Sequence, residues 1–116
     1  MIEQIEKQAI HLAELALHRD RARDELQQIE DAITTEVLAE RDSSGKPAYS
    51  NETSRAIAIR QKCRELGRWR QTKDELDGLD LAKATEAARL EAYRNQFSKW
   101  KLEYRRATAE MEAAKE

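Results

Sequence analysis

A chain of 116 residues with 38% charged, 5% aromatic, three Gly and one Pro is a single domain at most and describes long helices with charged outer faces. A mean hydropathy of -0.91 and the lack of any long apolar run exclude a membrane span. The net charge is only -2 and apolar residues recur regularly, which separates the chain from disordered ones.

The first residues, Met1-Ile2-Glu3-Gln4-Ile5-Glu6, lack the basic and apolar regions of a signal peptide. The single cysteine, Cys63, has no partner for an internal disulfide. The expected compartment is therefore the cytoplasm, and the sequon Asn51-Glu52-Thr53 reads as chance.

A first helix is expected over about residues 2–42. Ile5, Leu12, Leu15, Ala22, Leu26, Ile29 and Ile33 step along it by three and four, with Gln8, Arg19 and Glu36 on the same line. This is the seam of a coiled coil, repeating roughly every 3.5 residues. Ala9, Ala16 and Val37 widen it on one flank, and Ala32 and Ala39 on the other. Such a stripe needs a partner helix to cover it.

The chain then turns over residues 43–50. Gly45 can take the left-handed conformation that ends a helix, and Pro47 cannot extend one. Ser50 offers an N-cap oxygen, and Glu52 places negative charge in the next first turn, where the helix dipole favours it.

A second helix is expected over about residues 51–115. Ala56, Ile59, Cys63 and Leu66 begin its seam, the phase slips near Gly67, and Trp69, Leu76 and Leu79 resume it. From Leu90 the repeat is regular through Tyr93, Phe97, Trp100, Tyr104, Ala107, Met111 and Ala114. A break at Asp77-Gly78-Leu79-Asp80 would let the chain fold back into a three-helix bundle. A helix running through Gly78, at a cost near 1 kcal/mol, is favoured because good helix formers surround it.

Charge selects the pairing of the two arms. Residues 25–42 hold six acids against Arg41, and residues 55–73 hold seven bases against Glu65. Folding at Gly45 sets these blocks side by side, and further out brings Arg19, Arg21 and Arg23 opposite Asp74, Glu75, Asp77 and Asp80. The pattern specifies an all-α fold, an antiparallel helical hairpin of coiled-coil type. In that register residues 1–42 cover roughly 51–92, which leaves the aromatic stripe of Tyr93, Phe97, Trp100 and Tyr104 without cover.

The turn Gly45-Lys46-Pro47-Ala48-Tyr49-Ser50-Asn51-Glu52-Thr53-Ser54-Arg55 resembles a G-K-x-x-Y-S-N-E-x-x-R loop found in small all-helical proteins of phages and other mobile elements. The resemblance spans eleven of the 116 residues, with a loose likeness around Phe97. It implies a cytoplasmic accessory protein working near DNA replication or recombination, and it supplies no catalytic residues. The same residues also suit a turn and a helix cap without any family tie.

Few constellations suggest chemistry. His11 and His18 sit seven apart on one helix face, about 10 Å from each other, too far to chelate one ion, so no metal site is expected. Cys63 lies on the seam and lacks a neighbouring His to act as its base. Lys46 follows Gly45 without the earlier glycine, the hydroxyl residue or the strand of a phosphate loop. No catalytic residues and no cofactor are expected. Arg60, Arg64 and Arg68 step by four along one face with Trp69 and Arg70 beside them, a stripe able to hold phosphates and stack bases. Pairing with the acidic half of the first helix explains those arginines equally well, and a pI of about 5.8 weakens the nucleic-acid reading. The expected role is a non-enzymatic interaction protein (scaffold, adaptor or regulator) forming a homodimer, or binding another helical protein, through Tyr93, Phe97, Trp100 and Tyr104. The rival is a small nucleic-acid-associated accessory protein using Arg60, Arg64, Arg68 and Arg70.

Overall fold

A computed structural model describes residues 1–115. Three helices follow in order: α1 (Ile2–Ala39), α2 (Glu52–Glu65) and α3 (Gly67–Lys115). The fold is all-α, and the α2–α3 arm returns antiparallel along α1 as a hairpin.

Contacts divide the chain into two units, Leu17–Asp80 and Met1–Ala16 with the residues from Leu81 onward. In the first unit, Ile29, Ile33 and Val37 of α1 pack against Ala58 and Cys63 of α2, and Ala22 and Leu26 pack against Leu76 of α3. Val37, which the spacing places on a flank, is the most buried at 1% exposure. Trp69 touches both clusters, and its indole N–H donates to Glu30 Oε1 at 3.1 Å.

The acidic and basic blocks meet as their pattern requires. Lys62 Nζ lies 3.4 Å from Glu36 and 3.3 Å from Glu40, and Arg68 lies 3.6 Å from Glu25. The reversed pair also forms, with Arg19 Nε donating to Asp80 at 2.7 Å. That bond and its charge hold the Arg19 guanidinium more firmly in its cationic form.

Three boundaries differ from the sequence expectation. α1 ends at Ala39 rather than near residue 42, because Glu40–Ala48 is drawn into the turn: Ala48 N–H donates to Glu40 O at 3.0 Å, and Asp42 N–H to Lys46 O at 2.8 Å. Asp42 Oδ1 also accepts from Ser44 Oγ, Ser44 N and Lys46 N, and these bonds hold its carboxyl below the usual range. Gly45 takes the left-handed backbone at φ +82°, as its place in the turn anticipates. The N-cap of α2 is Asn51 rather than Ser50, since Asn51 Oδ1 reaches Ser54 N at 2.7 Å.

The third difference concerns the return arm. The single helix expected over 51–115 is two helices, and the break falls at Leu66 rather than at 77–80; Gly78 lies inside α3. Leu66 is extended at φ -84° and ψ 113°. Its N–H still bonds Lys62 O and Cys63 O, and its carbonyl accepts from Arg70 N at 3.2 Å, so one residue ends α2 and starts α3. This step lets Ala58 and Cys63 of α2, then Trp69, Thr72 and Leu76 of α3, all meet α1 or lie buried beside it. Ala56 and Leu66, expected on the seam, are exposed as a consequence.

In the second unit α3 runs antiparallel to the start of α1. Gln8 Nε2 donates to the Glu86 carbonyl at 3.1 Å and also contacts the Glu86 carboxylate, while Leu90 is buried. A polar group on a coiled-coil seam fixes register, because slipping leaves it unpaired.

Candidate functional site

Most of the buried and half-buried residues of α3 repeat as a heptad. Counting from Trp69, the two seam rows run through Thr72, Leu76, Leu79, Lys83, Glu86, Leu90, Tyr93 and Phe97. All of these are buried or half-buried, so the count tracks the face that α1 covers. The same count then reaches Trp100, Tyr104, Ala107, Met111 and Ala114 with no change of phase.

Cover ends there. Met1, Ile2 and Glu3 line a groove with Phe97 and Trp100, and from Lys101 to Lys115 every residue is exposed. Trp100 is 53% exposed, Tyr104 63% and Met111 65%. The rings form a ridge on the seam: Phe97 stacks on Trp100 with centroids 6.0 Å apart, and Trp100 on Tyr104 at 5.7 Å. Lys101 Nζ sits 5.1 Å from the Phe97 ring centre, a cation held against the edge of this ridge.

The four aromatic candidates therefore split. Tyr93 and Phe97 are half-buried, because α1 covers the seam as far as Phe97 rather than stopping near residue 92. Trp100 and Tyr104 carry the exposed part. The polar seam positions Thr72, Lys83 and Glu86 hid this continuity from a search for apolar residues alone. Thr72 is 4% exposed and turns its hydroxyl to Arg68 O at 2.9 Å.

The arginine stripe also divides. Arg60, Arg64, Arg68 and Arg70 are all exposed. Arg68 pairs with Glu25, whereas among the described residues Arg60, Arg64 and Arg70 form no ion pair. Lys62, between them, carries most of the pairing to α1, and its carboxylate partners Glu40 and Glu36 stabilise its charged form.

Cys63 is 4% exposed within the α1–α2 cluster. Burial, and to a lesser degree the charge of Glu30, push its thiol pKa up, which opposes formation of a nucleophilic thiolate. His11 and His18 are both exposed on α1. Among the described residues no group of three or more His, Cys, Asp or Glu is placed to hold a metal ion, and no helix is long and apolar enough to cross a membrane. In the 45–55 turn, Tyr49 packs on the α1–α2 cluster, Asn51 caps α2, and Gly45 makes the left-handed step, so each of these residues serves the local structure.

No protein-family model, curated protein or solved structure matches the chain.

Proposed function

We propose that this chain is a non-catalytic helical interaction protein that pairs with a second copy of itself through α3 from Trp100 to Ala114. The observation that carries this reading is the seam that α1 covers up to Phe97 and that continues, in phase and in solvent, through Trp100, Tyr104 and Met111. Two further arguments support it. A contiguous apolar ridge of this size marks a contact surface in water. Every residue from 101 to 115 is also exposed, and helices in proteins draw most of their stability from packing an apolar face. A partner helix on the seam supplies that packing, and joining two copies is what a scaffold or adaptor requires.

Sedimentation equilibrium tests it. The mass should rise with concentration from 13.4 kDa toward twice that value. Large aromatics at the centre of an interface dominate its energy, so Trp100→Ala should shift the curve by roughly tenfold or more in concentration. A single-chain mass up to several hundred micromolar would refute the reading.

A second reading rests on a separate observation, the exposure of Arg60, Arg64 and Arg70 without ion-pair partners among the described residues. Two such cations one turn apart on α2, with Arg70 at the start of α3 across the break at Leu66, suit a phosphate backbone, and the likeness of the 45–55 turn to mobile-element proteins points to the same class of partner. Anisotropy of labelled oligonucleotides at low and physiological salt checks this. Binding abolished by charge reversal at these three arginines supports it, and no binding at low salt removes it.

A further inference from the structure

Resting on that self-association, the geometry of the seam points to how the two tails run: we infer that they pair antiparallel, with Trp100 of each copy against Met111 of the other. The α1 helix decides this first. It lies on the α3 seam at Leu90 and reaches Phe97 through Met1, Ile2 and Glu3. Two unbroken α3 helices set parallel on this seam would each run into the place that the other's α1 occupies. Set antiparallel, each tail enters the seam from its open end and stops where α1 begins, so it continues the cover that α1 provides.

Side-chain size agrees. In an antiparallel coil each residue of one seam row faces the other row of the second copy. This puts Trp100 against Met111 and Tyr104 against Ala107, the layers beyond the reach of α1. Every layer joins a large ring to a smaller or more pliable side chain, which fills space evenly. Parallel pairing instead sets Trp100 on Trp100 and leaves Ala107 and Ala114 facing themselves.

The flanking charges oppose this arrangement, and that makes it testable. Beside the seam lie Glu103 and Glu110 on one flank, and Arg94, Lys101 and Lys115 on the other. Antiparallel pairing brings Glu103 near Glu110 of the second copy. Parallel pairing would instead join Glu110 to Lys115. Exposed pairs of this kind are weak and screened, so steric exclusion and packing outweigh them.

Sedimentation of Glu110→Lys separates the outcomes, because the substitution turns a repulsion into an attraction in one arrangement and does the reverse in the other. The inference predicts that the Glu110→Lys dimer is tighter, by roughly three- to tenfold at low salt for two such contacts. It also predicts that added salt tightens the wild-type dimer. A looser or unchanged Glu110→Lys dimer, or a wild-type dimer weakened by salt, would overturn the antiparallel arrangement while leaving self-association intact. A single-chain mass for wild type at every concentration would instead remove both.

Discussion

Trp69 stands where α3 begins and packs on both core clusters of the Leu17–Asp80 unit. Its ring meets the Ile29–Ile33–Val37 cluster and the Ala22–Leu26–Leu76 cluster, and its indole N–H is bound to Glu30. Trp→Ala in a core costs about 3–5 kcal/mol. Trp69 is half-buried rather than fully buried, so Trp69→Ala should cost about 3 kcal/mol, at the low end of that range. Trp69→Phe keeps most of the ring and loses the bond to Glu30, which is worth about 1 kcal/mol. Urea unfolding followed by circular dichroism measures both, provided the slope of stability against urea is unchanged. If Trp69→Ala costs less than about 1 kcal/mol, or Trp69→Phe costs as much as Trp69→Ala, then this ring does not join the clusters.

Two smaller changes test the turn and the buried thiol. Asn51→Ala should destabilise by about 1 kcal/mol through loss of the cap on Ser54 N, while Ser50→Ala should be close to neutral; the same unfolding assay would show the reverse order if Ser50 were the cap. Because burial raises the Cys63 pKa in the folded chain, the thiol stays protonated there at pH values where the unfolded chain begins to ionise. The stability this contributes is intact below the ordinary thiol pKa and falls as pH rises through the raised one. A thiol reagent at mildly alkaline pH should therefore react no faster than the chain unfolds, and rapid labelling of the native protein would contradict the burial of Cys63.

Much of the architecture is legible in the sequence because it depends on period and charge. The line from Ile5 to Ile33 and the opposed blocks around Glu36 and Lys62 require only counting, and they specify the hairpin and its direction. The break at Leu66 is harder to read. Leu is a good helix former, and the phase slip appears beside Gly67, but the extended residue is set by how Cys63 and Trp69 both reach the core. The choice of Asn51 over Ser50 as cap is a matter of one residue between two good capping side chains. On the candidate surface, the exposed ridge at Trp100 and Tyr104 follows from the heptad, whereas the reach of α1 to Phe97 depends on the exact register, which the polar contact of Gln8 with Glu86 fixes. Arg60 and Arg68 look alike in sequence, and only the fold separates the one without an ion pair from the one beside Glu25.

Another helix of the same kind should cover the seam beyond Phe97. Amide hydrogen exchange of residues 101–115, measured at low and high protein concentration, tests it most directly, since among the described residues no other helix packs upon this stretch. Exchange should slow markedly as concentration rises, and Trp100→Ala should return it to the fast rate. Exchange that is equally fast at every concentration would contradict it.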